Sequence, residues 1–503
     1  MQSQTSFLAP KKWMLTLYLL VFFALGAVIR FYDLTDLPLD FHSTRQMRAA
    51  IIARGMYYQT KTDVPDWQRE MAVAQWQSES LIEPPIMEWL TATTYRVIGR
   101  EALWVARVYS NLFWLVGGVF VYLLAKELAG VDGGLIALAY FLFLPYGAIA
   151  SRSFQPDPLM TAMLAAALWS MVRWHKSRTW GWALTAGLMG GLTILVKAVA
   201  VFFVGAAWLG LVLAAPGLRQ ALRDRRVWLL AALTLLPYAM FHIYGVYIDG
   251  ELASQYNQRF FPQLWFDPVH YLQWKGVIAG TVGLEWFLVA LISIFLLPEK
   301  PLRALLASAW TGYFLYGMFF SYHIVTHDYY QLPLVPLVAL GLGIGASFIF
   351  AHLRGRRALL YPLVVGALSF VIITQAWDVR VQLKRDDYRP EAAYWRQLGQ
   401  TLGQGARVVG LTHDYGYRLA YWGWVDSRNW MTSGDFNLQA LSGGEMDMEA
   451  AFDEAIAGND YFVVTLRGEL ERQPKLQALL DRRYPLLATE SDALIYDLRH
   501  PKE

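Results

Sequence analysis

Apolar stretches of spanning length recur from near the N-terminus to residue 376, at 13–31, 105–125, 133–149, 157–173, 179–195, 197–214, 227–247, 275–297, 303–321, 331–351 and 358–376. A helix needs about 20 mostly apolar residues to cross ~30 Å of hydrocarbon, so these stretches predict about eleven transmembrane helices. Hydrophobic residues make up 56% of the chain and charged residues 17%, a balance that would not keep 503 residues dissolved in water. Net charge is +3, which gives no argument for a nucleic-acid partner, and the arrangement of the charges matters more than their sum. Cysteine is absent, which removes disulfides, thiolate metal sites and cysteine nucleophiles. Trp13–Phe31, preceded by Lys11 and Lys12, is too long for the core of a cleaved signal peptide and reads as a signal anchor.

Basic residues set the orientation. With the N-terminus in the cytoplasm, the inner loops carry Lys126, then Arg173, Lys176 and Arg178, then Arg219, Arg223, Arg225 and Arg226, then Lys300 and Arg303, then Arg354, Arg356 and Arg357. One missed helix would throw every later cluster to the wrong face. The same topology puts residues 32–104, 150–156, 248–274, 322–330 and everything after about 377 outside, where function is expected. Two helices are predicted in the first outer loop. One starts at Ser43, whose spacing from Gln46 suits a capping box, and the other follows Trp67, Met71 and Ala74. Beyond about residue 380 the hydropathy falls and a small α/β domain is expected, with strands at Arg407–Leu411, Tyr461–Thr465 and Ala493–Tyr496 and helices near 390–402, 448–457 and 473–482. The expected fold is thus mainly α, a polytopic module over 1–380 with an extracytoplasmic α/β domain over 381–503.

Ionisable residues gather at outer helix ends. Asp40, His42 and Arg45 follow the first span, and either Asp40 or His42 has the chemistry to take a proton from a hydroxyl; a solvated turn leading into a surface helix is the plainer reading. Glu83-Pro84-Pro85 forms a second acidic turn ahead of Trp89, also readable as a helix start. Asp157-Pro158 suits a helix cap, although Arg152 lies close by in sequence. Lys197 sits between two apolar runs, either snorkelling to water or clamping a lipid phosphate. The short outer segment around His323, His327, Asp328, Tyr329 and Tyr330 is dense in polar function, and its two histidines four residues apart could hold a metal if a third ligand existed. Thr412–Tyr417 with Tyr421, Trp422, Trp424 and Trp430 supplies aromatic faces that stack on sugars or fill a core. No phosphate-cradling Gly-rich loop or nucleophile elbow is present.

The order of these elements resembles the GT-C membrane glycosyltransferases, specifically the superfamily of protein O-mannosyltransferases and lipid A aminoarabinose transferases. The acidic turn after the first span carries the resemblance, with Pro84-Pro85 before Trp89, Arg107 and Ser110, Ser151-Arg152 with Pro156-Asp157, Leu195-Val196-Lys197, and Tyr329-Tyr330 with Leu332-Pro333. It covers about the first 380 residues. The resemblance implies transfer of a sugar from a polyprenyl-phosphate donor to a glycan, lipid or protein acceptor on the extracytoplasmic face, with inversion. It implies an acidic base in the first outer loop. The usual Asp-Glu pair is replaced here by Arg45-Gln46, which leaves Asp40 or His42 as base with Glu83 sharing the role. Lys197, Arg152, Tyr330 and His327 are then expected at the donor phosphate, Arg45, Asp157, Asp328 and Tyr329 around the pocket, and a divalent metal ion is a possible cofactor. A lipid or lipid-linked-sugar transporter and a noncatalytic lipid-sugar-binding relative are the alternatives.

Overall fold

A computed structural model describes residues 6–250, 252–253, 259–444, 447–487 and 492–502, so part of the expected outer segment 248–274 lies outside the described residues. In chain order the helices are α1 (Lys12–Phe31), α2 (Ser43–Tyr58), α3 (Asp66–Gln77), α4 (Ile86–Ile98) and α5 (Trp104–Phe143). Then come α6 (Pro145–Ala150), α7 (Asp157–Ser177), α8 (Trp180–Val196), α9 (Val201–Ala214), α10 (Leu218–Ala221), α11 (Arg225–Ile243) and α12 (Pro268–Thr281). They are followed by α13 (Leu284–Ser293), α14 (Lys300–Phe319), α15 (Ser321–Thr326), α16 (Leu334–Leu353), α17 (Arg357–Arg385), α18 (Glu391–Leu402) and α19 (Tyr417–Gly423).

Contacts group the chain into two compact units. The first holds residues up to Leu34, Leu81–Pro84 and Arg107–Arg385; the second holds Thr35–Ser80, Pro85–Ala106 and the residues from Asp386 onward. The first outer loop thus falls mostly with the C-terminal residues.

The first unit is helical. Among the described residues, four helical stretches are long and apolar enough to cross a membrane: Lys12–Phe31, Trp104–Phe143, Arg225–Ile248 and Asp328–Arg385. Two shorter apolar helical stretches cover Trp180–Val196 and Ala198–Ala214. Apolar side chains on the outside of this unit are bare: Leu20, Met240, Ile292, Leu359 and Phe370 are each at least 65% exposed. Such surfaces are stable only against lipid. The expected straight span 275–297 is instead two helices meeting at 91°. Gly283, at φ 81, ends α12 there, and its N–H closes on Ile278 O at 3.1 Å.

Lipid provides no hydrophobic force between helices, so close packing has to hold them together. Glycines supply the close approach. A Cβ on Gly312 of α14 would lie 2.1 Å from Phe202 O of α9, one on Gly191 of α8 2.1 Å from Leu233 O of α11, and one on Gly341 of α16 2.3 Å from Ala290 O of α13.

In the second unit, α2 packs on α3, α4 and α19. Strands β1 (Arg407–Leu411), β2 (Asp426–Asn429), β3 (Tyr461–Val464), β4 (Leu486–Leu487) and β5 (Leu494–Asp497) form one sheet in the order β2-β1-β3-β5-β4. β1 runs parallel to β2 and β3, with Val409 opposite Phe462, while β5 is antiparallel to both β3 and β4. Val409, Leu411, Phe462 and Val464 build the core with Trp430, Phe452, Leu476 and Leu480.

Glycine packing yields a direct test. Gly312→Ala should destabilise the detergent-solubilised protein by about 1–3 kcal/mol through overpacking. Gly366→Ala, where an added Cβ meets nothing within 4 Å, should leave the melting temperature unchanged or raise it.

Candidate active site

The centre of the first unit's polar cluster is a lysine without water. Lys197 is the residue on which α8 ends, and its extended backbone (φ −155, ψ 115) precedes the short turn Ala198–Ala200 that starts the next helical run. This break delivers the side chain inward. The ammonium donates to both Asp157 oxygens at 2.8 Å, and Glu83 Oε1 lies 3.9 Å away. Lys197 is 7% exposed and Asp157 1%. Snorkelling is therefore excluded. The capping reading of Asp157 also fails, because the residue is the first of α7 and its side chain caps no backbone amide. Its negative charge at a helix N-terminus still gains from the helix dipole. Glu83 belongs to the Pro84-Pro85 turn and faces the same ammonium rather than opening α4.

Aromatic rings close the other side. Lys197 Nζ is 4.9 Å from the centre of the Tyr329 ring and 5.9 Å from that of Tyr330, both within cation–π range. Tyr330 stacks on Tyr316 at 5.6 Å with 5° between planes, then on His323 at 5.7 Å, and His323 stacks on His327 at 5.6 Å. Three hydrogen bonds hold this loop in place. Tyr146 OH donates to Asp328 O at 2.7 Å, Tyr313 OH donates to Gln331 Oε1 at 2.7 Å, and Trp274 Nε1 donates to Tyr313 OH at 2.8 Å. His327 Nδ1 lies 2.8 Å from Thr326 Oγ1. Stacked rings do not converge their nitrogens. Among the described residues no group of three or more His, Asp or Glu side chains could hold a metal ion.

Two further cations, Arg30 and Arg152, are buried in the same unit. Arg152 donates to Arg30 O at 3.0 Å, Asp33 O at 2.9 Å and Tyr32 O, which staples it to the C-terminus of α1. Arg30 donates to Ser151 Oγ at 2.9 Å, Leu142 O at 2.9 Å and Gly26 O at 3.0 Å. Arg30, Arg107, Arg152 and Lys197 are each at most 7% exposed, and Asp157 is 1% exposed.

Asp40, His42 and Arg45 belong to the second unit. Asp40 Oδ1 accepts from Gln46 Nε2 at 3.4 Å, and His42 takes a left-handed conformation (φ 46) immediately before α2. Helix α2 begins where expected, but the capping box is absent. Ser43 Oγ donates to Asp414 at 2.6 Å, and Gln46 Nε2 donates to Phe41 O at 2.7 Å. The sequence reading missed Arg30, Gln331, Tyr146 and Asp414. Only Arg30 left a signal, as the one charge inside an otherwise apolar span.

Removing one partner of a buried pair strands the other, so Lys197→Met or Asp157→Leu alone should cost about 3–5 kcal/mol by thermal unfolding. The double variant should recover most of that stability. Burial, together with the positive neighbours His327 and Arg259, pushes the His323 imidazole down to about 3. The unfolded chain takes up this proton below about 6.5 and the folded chain does not, so the folded state has its full stability above that pH and loses it as pH falls toward 3. His323→Gln should remove a slope of roughly 1 kcal/mol per pH unit from the melting profile in this window.

Residues 82–244 match the family of dolichyl-phosphate-mannose-protein mannosyltransferases. No curated protein matches the chain by sequence. Among solved structures, ArnT from Cupriavidus metallidurans, solved both apo and bound to undecaprenyl phosphate, superposes with a TM-score of 0.60 at 16% identity over 96% of this chain and 98% of that one. The archaeal oligosaccharyltransferase AglB from Archaeoglobus fulgidus, in complex with an inhibitory peptide and a dolichol-phosphate, gives 0.56 at 10% identity over 90% of this chain and 70% of its own. The arabinofuranosyltransferase AftD from Mycobacteria gives 0.53 at 16% identity over 98% of this chain and 40% of its own. The chain thus shares the fold of ArnT, AglB and AftD, and its residues 82–244 carry the match to the mannosyltransferase family.

Proposed function

We propose that this protein moves a sugar from a polyprenyl-phosphate donor to an acceptor hydroxyl on the extracytoplasmic face of a membrane that it crosses about eleven times, with the C-terminal α/β residues on the same face. One observation carries the reading: a buried lysine shared between two carboxylates in a GT-C fold. The donor's phosphodiester arrives with one negative charge, and the departing polyprenyl phosphate gains a second as the sugar leaves, which a buried ammonium stabilises. On the donor's arrival Lys197 exchanges contact with Asp157 for contact with phosphate oxygen, and the nearby cations stabilise the charge that grows on the leaving group. Tyr330 and His327 flank it, and Asp328, Tyr329 and Asp157 shape the wall. Arg152 contributes through its charge, because its hydrogen bonds go to the end of α1.

Polyprenyl phosphate is a weak base, so its departure needs no strong acid. The acceptor hydroxyl needs a base. Asp40 takes that proton, with His42 as the second choice and Glu83 able to share the role. The acceptor oxygen bonds to the anomeric carbon as the carbon–phosphate-oxygen bond breaks on the opposite face, which inverts the configuration. The polyprenyl phosphates named with ArnT and AglB support this donor class. Arg45-Gln46 in place of an acidic pair favours a second reading, a protein that binds the lipid-linked sugar without turning it over.

Proteoliposomes supplied with radiolabelled polyprenyl-phosphate sugars separate the two readings. The enzyme should release free polyprenyl phosphate in step with acceptor labelling, whereas a binder retains the donor unchanged. Asp40→Asn should lower kcat by about a hundredfold or more with donor binding retained, and near-normal turnover would remove Asp40 as base. The folded Lys197→Met/Asp157→Leu double variant should lose donor affinity and turnover together.

A further inference from the structure

We infer that Asp414 is a positioning residue: it holds the N-terminus of α2 and so sets the geometry of the Asp40–His42 turn. Glycosyltransfer through that turn rests on the function proposed above; the hold on the helix does not. All the residues concerned lie in the second unit.

Helix α2 has no cap of its own. Its preceding residue, His42, makes no side-chain cap, and no acidic residue occupies the first turn. The four N–H groups at a helix start and the positive end of its dipole favour a nearby carboxylate. Asp414, 371 positions beyond Ser43, supplies one. Its Oδ1 accepts from Ser43 Oγ at 2.6 Å and from Thr44 Oγ1 at 3.0 Å, while Oδ2 accepts from Arg418 Nε at 2.5 Å. Arg418 is in turn held by Glu391 at 3.1 Å.

The backbone that presents this carboxylate is strained. Just beyond β1, Asp414, Tyr415 and Gly416 all take positive φ, at 54°, 57° and 87°. Left-handed residues other than glycine cost roughly 1 kcal/mol or more each and persist where the surroundings over-determine them. Here one carboxylate meets three donors at once, which a relaxed loop need not deliver. Two residues before Ser43 stands Phe41, whose carbonyl is tied back to Gln46 of the same helix, and Gln46 also reaches Asp40. Fixing the first turn of α2 therefore fixes the turn that carries Asp40 and His42.

Three full-length variants test this in proteoliposomes: Asp414→Ala, Asp414→Asn, and Ser43→Ala with Thr44→Val, which breaks the same contact while leaving Asp414 on Arg418. Hydrogen–deuterium exchange is read at residues 40–47 and steady-state kinetics alongside. Asp414→Ala and the Ser43/Thr44 variant should each raise exchange there about tenfold or more. Both should lower kcat by about ten- to a hundredfold at unchanged donor KM, as a misplaced catalytic turn does. Asp414→Asn, which can still accept from both hydroxyls, should restore most of the loss, and combining Asp414→Ala with the Ser43/Thr44 changes should cost no more than either alone. Unchanged exchange at 40–47 in both variants, or strictly additive losses, would overturn the inference. If Asp414→Ala does not fold, the Ser43/Thr44 variant decides it. A wild-type protein that turns over no donor would sink the glycosyltransferase reading, and the exchange data would still decide the role of Asp414.

Discussion

An ammonium group stripped of water is stable only where something replaces the water, and the contact between Lys197 and Asp157 is that replacement. The pair dictates its surroundings. α8 has to stop at Val196 so that the next residue can turn inward, and α7 has to begin at Asp157 so that the carboxylate lies at a helix start. Tyr329 and Tyr330 then take the remaining faces, held there by hydrogen bonds that Tyr146 and Tyr313 give to Asp328 O and Gln331. A buried pair of this kind is poor evidence of stabilisation, because its desolvation roughly offsets its attraction. What it offers is a cation kept ready in a dry place, with a partner that a stronger anion can displace.

The arginines behave differently, and the contrast separates scaffold from site. Arg30 binds the carbonyls of Gly26 and Leu142 and Arg152 those of Arg30 and Asp33, so their geometry is locked whatever occupies the site. Lys197 has a carboxylate to exchange and a single flexible stem, which makes it the member of the group able to move toward a phosphate. The fold thus holds its buried arginines fixed and leaves one buried cation a contact it can exchange.

Much of this was legible in the sequence because it depends on local pattern. Hydropathy marked where helices lie, and strands β1, β3 and β5 fell within a residue of their expected ends because β-branched and aromatic residues crowd there. The residues that surround Lys197 were also legible, through their positions at helix ends. Two failures share a cause. The loss of the capping box at Ser43 and the true partner of Asp157 were each decided by a residue far away in the chain. Asp157 meets Lys197 across 40 positions and Ser43 meets Asp414 across 371. Local preference offered a cap in both places, and a long-range charge contact took it.

The same principle governs how the second unit is assembled. Arg54 of α2 is buried with its guanidinium 3.5 Å from the centre of the Tyr421 ring and 4.3 Å from that of Trp424, and it pairs with Glu101 at 2.9 Å. Gln75 of α3 donates to Val425 O at 3.0 Å, and Glu79 accepts from Tyr417 at 3.0 Å. Apart from Glu101, these partners arrive only after α17, with the last quarter of the chain. Until then Arg54 has Glu101 at 2.9 Å and Glu79 has Arg48 at 2.8 Å as charge partners, while the rings of Tyr421 and Trp424 and the carbonyl of Val425 are still missing. The C-terminal residues therefore complete the packing of α2 and α3, and through Asp414 they complete the start of α2 that follows Asp40 and His42.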